Sequence, residues 1–167
     1  MRNAFRTTAC LMALAVSAAC APKGPAPAEM VAAADAVDQK FLDAFNKPDL
    51  DALMTTWWNN AEVVSIGLGG NPVTGTDAVK ASFDGTLKGL PGAKLEFTSR
   101  HNIASGDLVL GYGTWKATIP AEKGPPTVME GRYSDVKAFR DGKWVYVMDH
   151  GSVPLPPAPP APAAKKK

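Results

Sequence analysis

The chain has 167 residues, 46% of them hydrophobic, and a formal net charge of +2; this length fits one domain with flanking extensions. The basic excess comes from the two ends, because residues 29–153 hold 12 Lys and Arg against 16 Asp and Glu. The predicted folded part is therefore mildly acidic, which argues against a nucleic-acid-binding domain with its usual basic stripe.

The first 28 residues have the layout of a bacterial export signal followed by a linker. Two arginines precede an apolar run over residues 9–16, which is too short for a bilayer-spanning helix of about 20 residues. Small residues then lead up to Cys20, so residues 1–19 predict a cleaved signal peptide. A cysteine at this boundary resembles a lipoprotein processing site. We therefore expect Cys20 to be lipidated and residues 20–28 to form a Pro-rich linker.

This signal predicts that the protein is located in the bacterial cell envelope, where a lipid anchors it to the membrane on the periplasmic side. The alternative is an ordinary cleavable signal with an incidental cysteine, which would give a secreted or periplasmic protein. Cys10 lies within the signal, so no cysteine is left in the domain for a disulfide, a thiol nucleophile or a thiolate metal site. Residues 154–167 are rich in Pro, Ala and Lys and predict a disordered tail. The lysines of this tail either contact anionic envelope lipids or polymers or are simply solvated.

Helical patterns occupy the first half of the domain at residues 29–153. The apolar spacing predicts helices over residues 29–46, 49–58 and 76–89, the third capped by Thr76. Between the second and third helices, residues 61–66 predict a short strand that ends in the glycine-rich loop 67–70.

The second half of the domain alternates between apolar and polar residues, as strands do. Four strands are predicted over residues 94–104, 107–119, 127–140 and 143–151. The Asp141-Gly142 pair is a strong hairpin signal. Strands that follow one another along the chain favour an antiparallel meander. Helices first and a meander last predict an α+β fold with helices packed on one face of a bent sheet.

Short motifs along the chain carry a family resemblance. They are FLDAF at 41–45, DLDAL at 49–53, NAEV at 60–63, GTDAV at 75–79, RYS at 132–134, DGKW at 141–144 and DHGS at 149–152. In this order and spacing they resemble the SnoaL-like and ketosteroid-isomerase-like proteins of the nuclear transport factor 2-like superfamily. The resemblance implies a cone-shaped barrel of three N-terminal helices packed on a strongly curved, mainly antiparallel sheet, with a pocket inside. Its members include isomerases, cyclases, dehydratases and proteins with no known reaction, so the fold does not fix the function.

The resemblance also implies a test for steroid-type isomerase chemistry. A ketosteroid isomerase uses a carboxylate base together with a tyrosine and a neutral aspartic acid. Ser65 stands at the base position, and the first helix carries Phe41 and Phe45 where the tyrosine would be. Only Asp135 matches its place in the family pattern. The sequence therefore argues against a steroid-type isomerase.

Two residues are the candidate catalytic groups, Asp135 and His150. Regular alternation along the last strand groups His150 with Trp144, Tyr146 and Met148 and turns Asp149 to the other face. If that face is inward, His150 lines the pocket as a proton carrier. The alternative is a structural histidine whose ring bonds a neighbouring carbonyl group.

Further residues are candidates for binding a ligand. They are Trp58, His101, Tyr112, Trp115, Tyr133 and Arg132. Alternation groups His101 with Leu95, Phe97 and Ile103, so it reaches the cavity or packs beside these residues. The aromatic residues line a pocket or belong to the core. Arg132 and Tyr133 are neighbours on one strand, so only one of them faces inward. Arg132 is either a clamp for an anionic ligand or part of a surface ion pair.

The sequence predicts no metal site and no cofactor. The two histidines lack a local spacing such as His-x-x-x-His, and the loop at residues 67–70 lacks the lysine of a phosphate-binding loop.

These observations predict an envelope-anchored protein that binds a small apolar or carbonyl-containing molecule in its pocket. The first alternative is an enzyme, an isomerase, lyase or hydrolase that acts on a small carbonyl compound through His150 and Asp135. The second alternative is a structural or assembly module that forms a homodimer through its sheet.

Overall fold

The computed structural model describes residues 24–154 of the chain. The predicted signal peptide, the predicted lipidation site Cys20 and nearly all of the predicted tail lie outside the described residues. Within residues 24–154, no helix is both long enough and apolar enough to cross a membrane.

Three helices form in this part of the chain, as predicted, and they are α1 (Pro27–Asn46), α2 (Leu50–Met54) and α3 (Thr76–Gly89). Pro27 opens α1, where its missing N–H costs nothing. The prediction for α2 was too long, because this helix ends at Met54. The hydroxyl groups of Thr55 and Thr56 then donate to the carbonyl groups of Ala52 and Leu53.

The start of α3 differs from the prediction that Thr76 caps it. Gly75 is the residue before the helix, and its φ of 88° is a value that glycine adopts without strain. The hydroxyl of Thr76 instead accepts a hydrogen bond of 2.8 Å from the N–H of Asn60. Thr76 therefore ties the loop after α2 to the first turn of α3.

Within the described residues, six strands form one mixed sheet. They are β1 (Val64–Ile66), β2 (Pro72–Thr74), β3 (Lys94–Ser105), β4 (Leu108–Ile119), β5 (Thr127–Arg140) and β6 (Lys143–Ser152), in the spatial order β2-β1-β6-β5-β4-β3. Strand β1 runs parallel to β6, and every other pairing is antiparallel. The α+β class and the meander are confirmed. The sequence analysis missed β2, which has only three residues and begins with a proline.

Two β-bulges interrupt the alternation on which the sequence analysis relied. Thr98 has no register partner between Phe97 and Ser99 in β3, and Val147 has none between Tyr146 and Met148 in β6. A bulge adds one residue to one strand, so the residues beyond it change faces relative to simple counting. As a result, Asp149 faces the same side of the sheet as Tyr146, and His150 faces the other side.

The helices cover the inner face of the sheet. The main core cluster joins Phe41 and Phe45 of α1 and Leu53 of α2 to Trp57 and Tyr146. The ring centres of Trp57 and Tyr146 are 5.5 Å apart. Burying each large side chain of this kind stabilises the fold by roughly 1.5–3 kcal/mol. A second cluster, made of Met30, Ala34 and Val109, fills the space beneath the start of α1.

Candidate functional site

A cavity of about 690 Å³ lies between the inner face of the sheet and the helices. Its walls come from α1, α3 and the strands, and its exposed border includes Gly67, Leu68, Gly69 and Asn71 of the loop between β1 and β2. Cavities of this size are typical of sites for small organic molecules.

Aromatic side chains form much of the cavity wall. They are Phe41, Phe45, Phe83, Phe97, Trp115, Tyr133 and Tyr146. The rings of Phe97 and Tyr133 stack with their centres 4.5 Å apart. The indole N–H of Trp115 donates to the carbonyl oxygen of Arg132 at 3.1 Å, which fixes the orientation of that ring. The wall therefore offers flat apolar faces that are already ordered.

Two carboxyl groups lie at one end of this cavity. Asp135 of β5 and Asp149 of β6 are direct register partners in neighbouring strands, and both line the cavity. Residues paired in this way have Cβ atoms about 4.5–5.5 Å apart. On the other side of Asp135, its register partner in β4 is Gly111. A Cβ atom at Gly111 would come within 2.4 Å of Asp135 Oδ1, so glycine makes the space that this carboxyl group occupies.

A buried charge network lies next to the two acids. The ammonium of Lys137 is fully buried and contacts Asp135 Oδ1 at 2.7 Å and Asp38 Oδ1 at 2.8 Å. The Tyr146 hydroxyl also donates to Asp38, at 2.5 Å. The side-chain amide of Asn102 donates to Asp38 Oδ2 at 3.1 Å. These bonds tie α1 to β3, β5 and β6, and they hold Asp135 in one orientation.

Burial changes the proton affinity of both cavity acids. Desolvation raises the pKa of Asp135 to about 6, although the charge of Lys137 and its hydrogen bond act in the opposite direction. Desolvation raises the pKa of Asp149 to about 7; a hydrogen bond with Ser65 lowers it and the charge of Asp135 raises it. Burial also raises the pKa of the Tyr133 phenol, with the charges of Asp38 and Asp135 adding to the effect, so that this hydroxyl stays protonated.

Two polar atoms at the cavity are buried without a hydrogen-bond partner among the described residues. They are Asp149 Oδ1 and the Tyr133 hydroxyl. A buried polar group without a partner costs free energy. A ligand that bonded to these atoms would remove that cost. The site can therefore hold a polar group of a ligand, and its acids can accept or release a proton near neutral pH.

The structure brings four of the sequence candidates to the cavity, namely Asp135, His150, Trp115 and Tyr133. His101 and Tyr112 do not line it, which corrects the grouping of His101 with Phe97. The bulge at Thr98 turns His101 to the outer face, where its ring stacks on Tyr112 with a centre-to-centre distance of 5.0 Å.

Two other ligand-binding candidates also lie away from the cavity. The indole N–H of Trp58 donates to Asp141 at 3.1 Å, and the guanidinium of Arg140 lies 5.4 Å from the centre of its ring. Arg132 is exposed, and its strand neighbour Tyr133 is the one that faces inward. Neither residue lines this cavity, because Trp58 packs on the β5–β6 turn and Arg132 is exposed.

His150 borders the cavity, but it is exposed and lies opposite Ser134 in register rather than Asp135. The carboxyl group that faces Asp135 belongs to Asp149, which regular alternation had predicted on the opposite face from His150. Lys137 was also missed, although a lysine two residues after Asp135 on the same strand is a signal for an ion pair on one face. Ser65, at the family's base position, is buried at the cavity beside Asp149.

In the part of the chain that the structure describes, no three His, Cys, Asp or Glu side chains converge as a metal site would require.

Comparison with known proteins establishes the family. A family model described as a SnoaL-like domain matches residues 39–147. The chain belongs to the SnoaL-like domain family. No curated protein matches the chain.

Solved structures show the same fold at low sequence identity. A nuclear transport factor 2-like superfamily protein from Salmonella enterica is 18% identical, with a TM-score of 0.69 over 84% of this chain and 99% of that one. A candidate dehydratase of the same superfamily from Streptomyces avermitilis is 17% identical, with a TM-score of 0.69 over 78% of this chain and 100% of that one. A nuclear transport factor 2-like protein with a cystatin-like fold from Novosphingobium aromaticivorans is 15% identical, with a TM-score of 0.67 over 75% of this chain and 82% of that one. At these identities the likeness extends to the fold alone.

Proposed function

We propose that this SnoaL-like protein binds a small, mostly apolar molecule in the aromatic cavity, with a polar group of that molecule directed at Asp149 and Tyr133. The observation that supports this role is the combination of a cavity of about 690 Å³ with two buried polar atoms that have no partner among the described residues. Ligand sites are typically apolar cavities with a few convergent polar groups. The apolar wall would supply affinity, and the polar end would orient the molecule.

A probe that carries no net charge tests this role. N-phenyl-1-naphthylamine fluoresces when it enters an apolar site, so its titration measures whether the cavity is open to a small molecule. Ala117 is buried on the cavity wall, and the substitution Ala117→Phe places a ring in the space. We expect this variant to bind the probe at least 10-fold more weakly than the unmodified protein.

The control is Ala36→Phe, which adds the same ring on the exposed side of α1. This variant should bind the probe as the unmodified protein does. Equal binding by Ala117→Phe and the unmodified protein, or no fluorescence change in either, would contradict a role in ligand binding.

An enzyme acting on a small carbonyl compound is the second candidate, and the acid pair favours it. Asp149 replaces His150 as the partner of Asp135, because it faces Asp135 and its pKa of about 7 suits proton transfer at neutral pH. Asp149 would take a proton from the carbon next to the carbonyl group while the electron pair moves to the carbonyl oxygen. The Tyr133 hydroxyl would donate a hydrogen bond to that oxygen, and Asp149 would return the proton at another carbon.

A screen of small carbonyl compounds for turnover tests this candidate. Asp149→Asn should lower kcat at least 100-fold, the effect typical of a lost general base, while His150→Asn should leave it nearly unchanged. Loss of turnover in His150→Asn with activity retained in Asp149→Asn would restore the role first given to His150.

Envelope anchoring is proposed from the sequence alone. Cys20 lies outside the described residues, and the signal layout of residues 1–19 supports its lipidation. Labelling with a fatty-acid analogue should mark the unmodified protein and not Cys20→Ser. Equal labelling of the two would contradict the anchor.

The assembly role is also a proposal, and one feature of the outer sheet face supports it. The outer sheet face exposes Ile103, Leu110 and Tyr112. Sedimentation velocity would give the mass of a dimer if this face pairs with a second copy, and Leu110→Glu should then give a monomer.

A further inference from the structure

The acid end of the cavity holds more carboxyl groups than basic groups. Asp38 and Asp135 contact the single ammonium of Lys137, while Asp149 lies opposite Asp135 in register. The nearby Asp35 is matched separately, because Arg100 Nε lies 3.4 Å from its carboxylate. Among the described residues that line the cavity, none is Lys or Arg. When the acids are ionised, this end therefore carries a net negative charge that the protein does not neutralise.

Aromatic side chains line the cavity around this charge. Phe97 and Tyr133 stack beside the acids, and Tyr146 lines the same space. Aromatic faces attract cations, above all amines and quaternary ammonium groups that have lost part of their water shell. Lys137 already uses this property, since its ammonium lies 5.0 Å from the centre of the Tyr146 ring.

We propose that the ligand of this cavity is an organic cation, an apolar body that carries a protonated amine or a quaternary ammonium group placed against Asp149. This proposal rests on the proposed function, because it specifies the class of molecule that the same cavity binds. The cation would neutralise the unpartnered Asp149 Oδ1 and lie among the aromatic faces. The apolar body would fill the rest of the cavity towards Leu95, Ala117 and Met129.

The competing ligand is a neutral carbonyl compound, which a protonated Asp149 would bind by donating a hydrogen bond. The two ligands respond to pH in opposite ways. The groups that face Asp149 are Ser65 and the N–H of Ile66 on β1, Asp135 on β5 and Tyr146 on β6. None of these groups brings a positive charge to Asp149, so its carboxyl group gains a proton as the pH falls through about 7. Binding of a cation should therefore weaken at low pH, and binding of a carbonyl compound should strengthen.

Three probes of nearly the same shape separate these cases. They are 1-naphthylmethylamine, 1-naphthylmethanol and 1-acetonaphthone, which present an ammonium group, a hydroxyl group and a carbonyl group on the same ring system. Calorimetric titration of the purified protein gives a Kd for each at pH 8 and pH 5.5. We expect the amine to bind at least 10-fold more tightly than the alcohol at pH 8, and we expect this ratio to fall at least threefold at pH 5.5.

Asp149→Asn keeps the shape of the side chain and removes its charge, so it should abolish the preference for the amine without abolishing binding of the alcohol. Asp43→Asn, an exposed change on α1, is the matched control and should keep the preference. The pH series on the unmodified protein gives the same test independently of how any variant folds.

The outcomes distinguish this proposal from the proposed function. If the alcohol and the ketone bind as tightly as the amine at pH 8, the cavity binds ligands but the assignment to cations is wrong. If the ketone binds best at pH 5.5 and the amine shows no preference at pH 8, the ligand is a carbonyl compound. If none of the three binds, both the cation assignment and the proposed function are contradicted.

Discussion

At the scale of single residues, Asp149 decides the chemistry of the site. The residue as a whole is partly buried, but its Oδ1 atom is buried and has no hydrogen-bond partner in the described part of the chain. Burial disfavours the charged form of an acid, which is why the pKa rises to about 7. The same desolvation makes this oxygen a strong partner for a ligand that brings a donor or a positive charge.

Asp149→Asn should make the protein more stable at neutral pH. The folded-state pKa values of about 6 for Asp135 and about 7 for Asp149 lie above the value of about 3.9 for an unfolded Asp. The stability that these two protonated groups contribute is therefore fully present below about pH 4, and it is lost as the pH rises through 6 and 7. At pH 8 the variant no longer carries this buried charge, and its Tm should rise by about 3–6 °C.

Thermal unfolding at pH 4 and pH 8 checks this prediction. The difference between Asp149→Asn and the unmodified protein should nearly vanish at pH 4, where Asp149 is neutral. A difference of the same size at both pH values would show that Asp149 is not desolvated in the fold.

At the scale of single elements, two bulges and one glycine set the shape of the site. The bulge at Val147 turns Asp149 towards the cavity, and the bulge at Thr98 turns His101 away from it. Gly111 of β4 leaves the space that Asp135 occupies, since a Cβ atom there would come within 2.4 Å of its carboxyl oxygen. The site thus depends on where the strands depart from regular geometry.

Replacing Gly111 with Ala should displace Asp135 and destabilise the protein. The added methyl group would overlap the carboxyl group that Lys137 holds, and overpacking of this kind costs roughly 1–3 kcal/mol. Gly85→Ala is the matched control, because it lies in α3 with no atom within 4 Å of the added Cβ. That change should stabilise the protein by about 0.5–1 kcal/mol. Urea unfolding of the two variants measures both effects, and equal signs would contradict this account of Gly111.

The sequence predicted the elements of this fold far better than it predicted the faces of the strands. Long helix and strand patterns extend over many residues, so α1, α3 and the four long strands were found close to their observed bounds, whereas the short helix α2 was predicted too long. The side of the sheet that a residue faces is predicted from strict alternation along the strand. One bulge adds a residue, so every residue beyond it faces the side opposite to the predicted one. His101 and Asp149 were misplaced for this reason. The residues between the bulges, including Tyr133 and Asp135, kept the expected alternation, and Tyr133 was correctly set opposite Arg132.

At the scale of the whole molecule, Lys137 connects the first helix to the sheet. Its ammonium bridges Asp38 of α1 and Asp135 of β5, and all three side chains are almost fully buried. Removing one partner from a buried ion pair leaves an uncompensated charge, which is strongly destabilising. Exposed pairs contribute little, because water screens their charges.

Lys137→Met should therefore lower the free energy of unfolding by about 3–5 kcal/mol. The matched control is Lys80→Met, which breaks the exposed pair with Asp51 at 2.8 Å and should change the free energy of unfolding far less, because water screens these two charges. Adding Asp135→Asn to Lys137→Met should recover part of the loss, since it removes one of the two orphaned carboxylates. Equal losses from the two single lysine variants in urea unfolding would contradict a structural role for the buried network.

The chemistry of the site depends on a desolvated Asp149 that is ready to receive a ligand, and the carboxyl ¹³C resonance of Asp149 reports on this state most directly. Its titration in the unliganded protein should show a pKa near 7. Saturation with 1-naphthylmethylamine should lower that pKa by at least one unit, because the cation stabilises the ionised form. A pKa below 5 in the unliganded protein, or no change on adding the amine, would contradict the account.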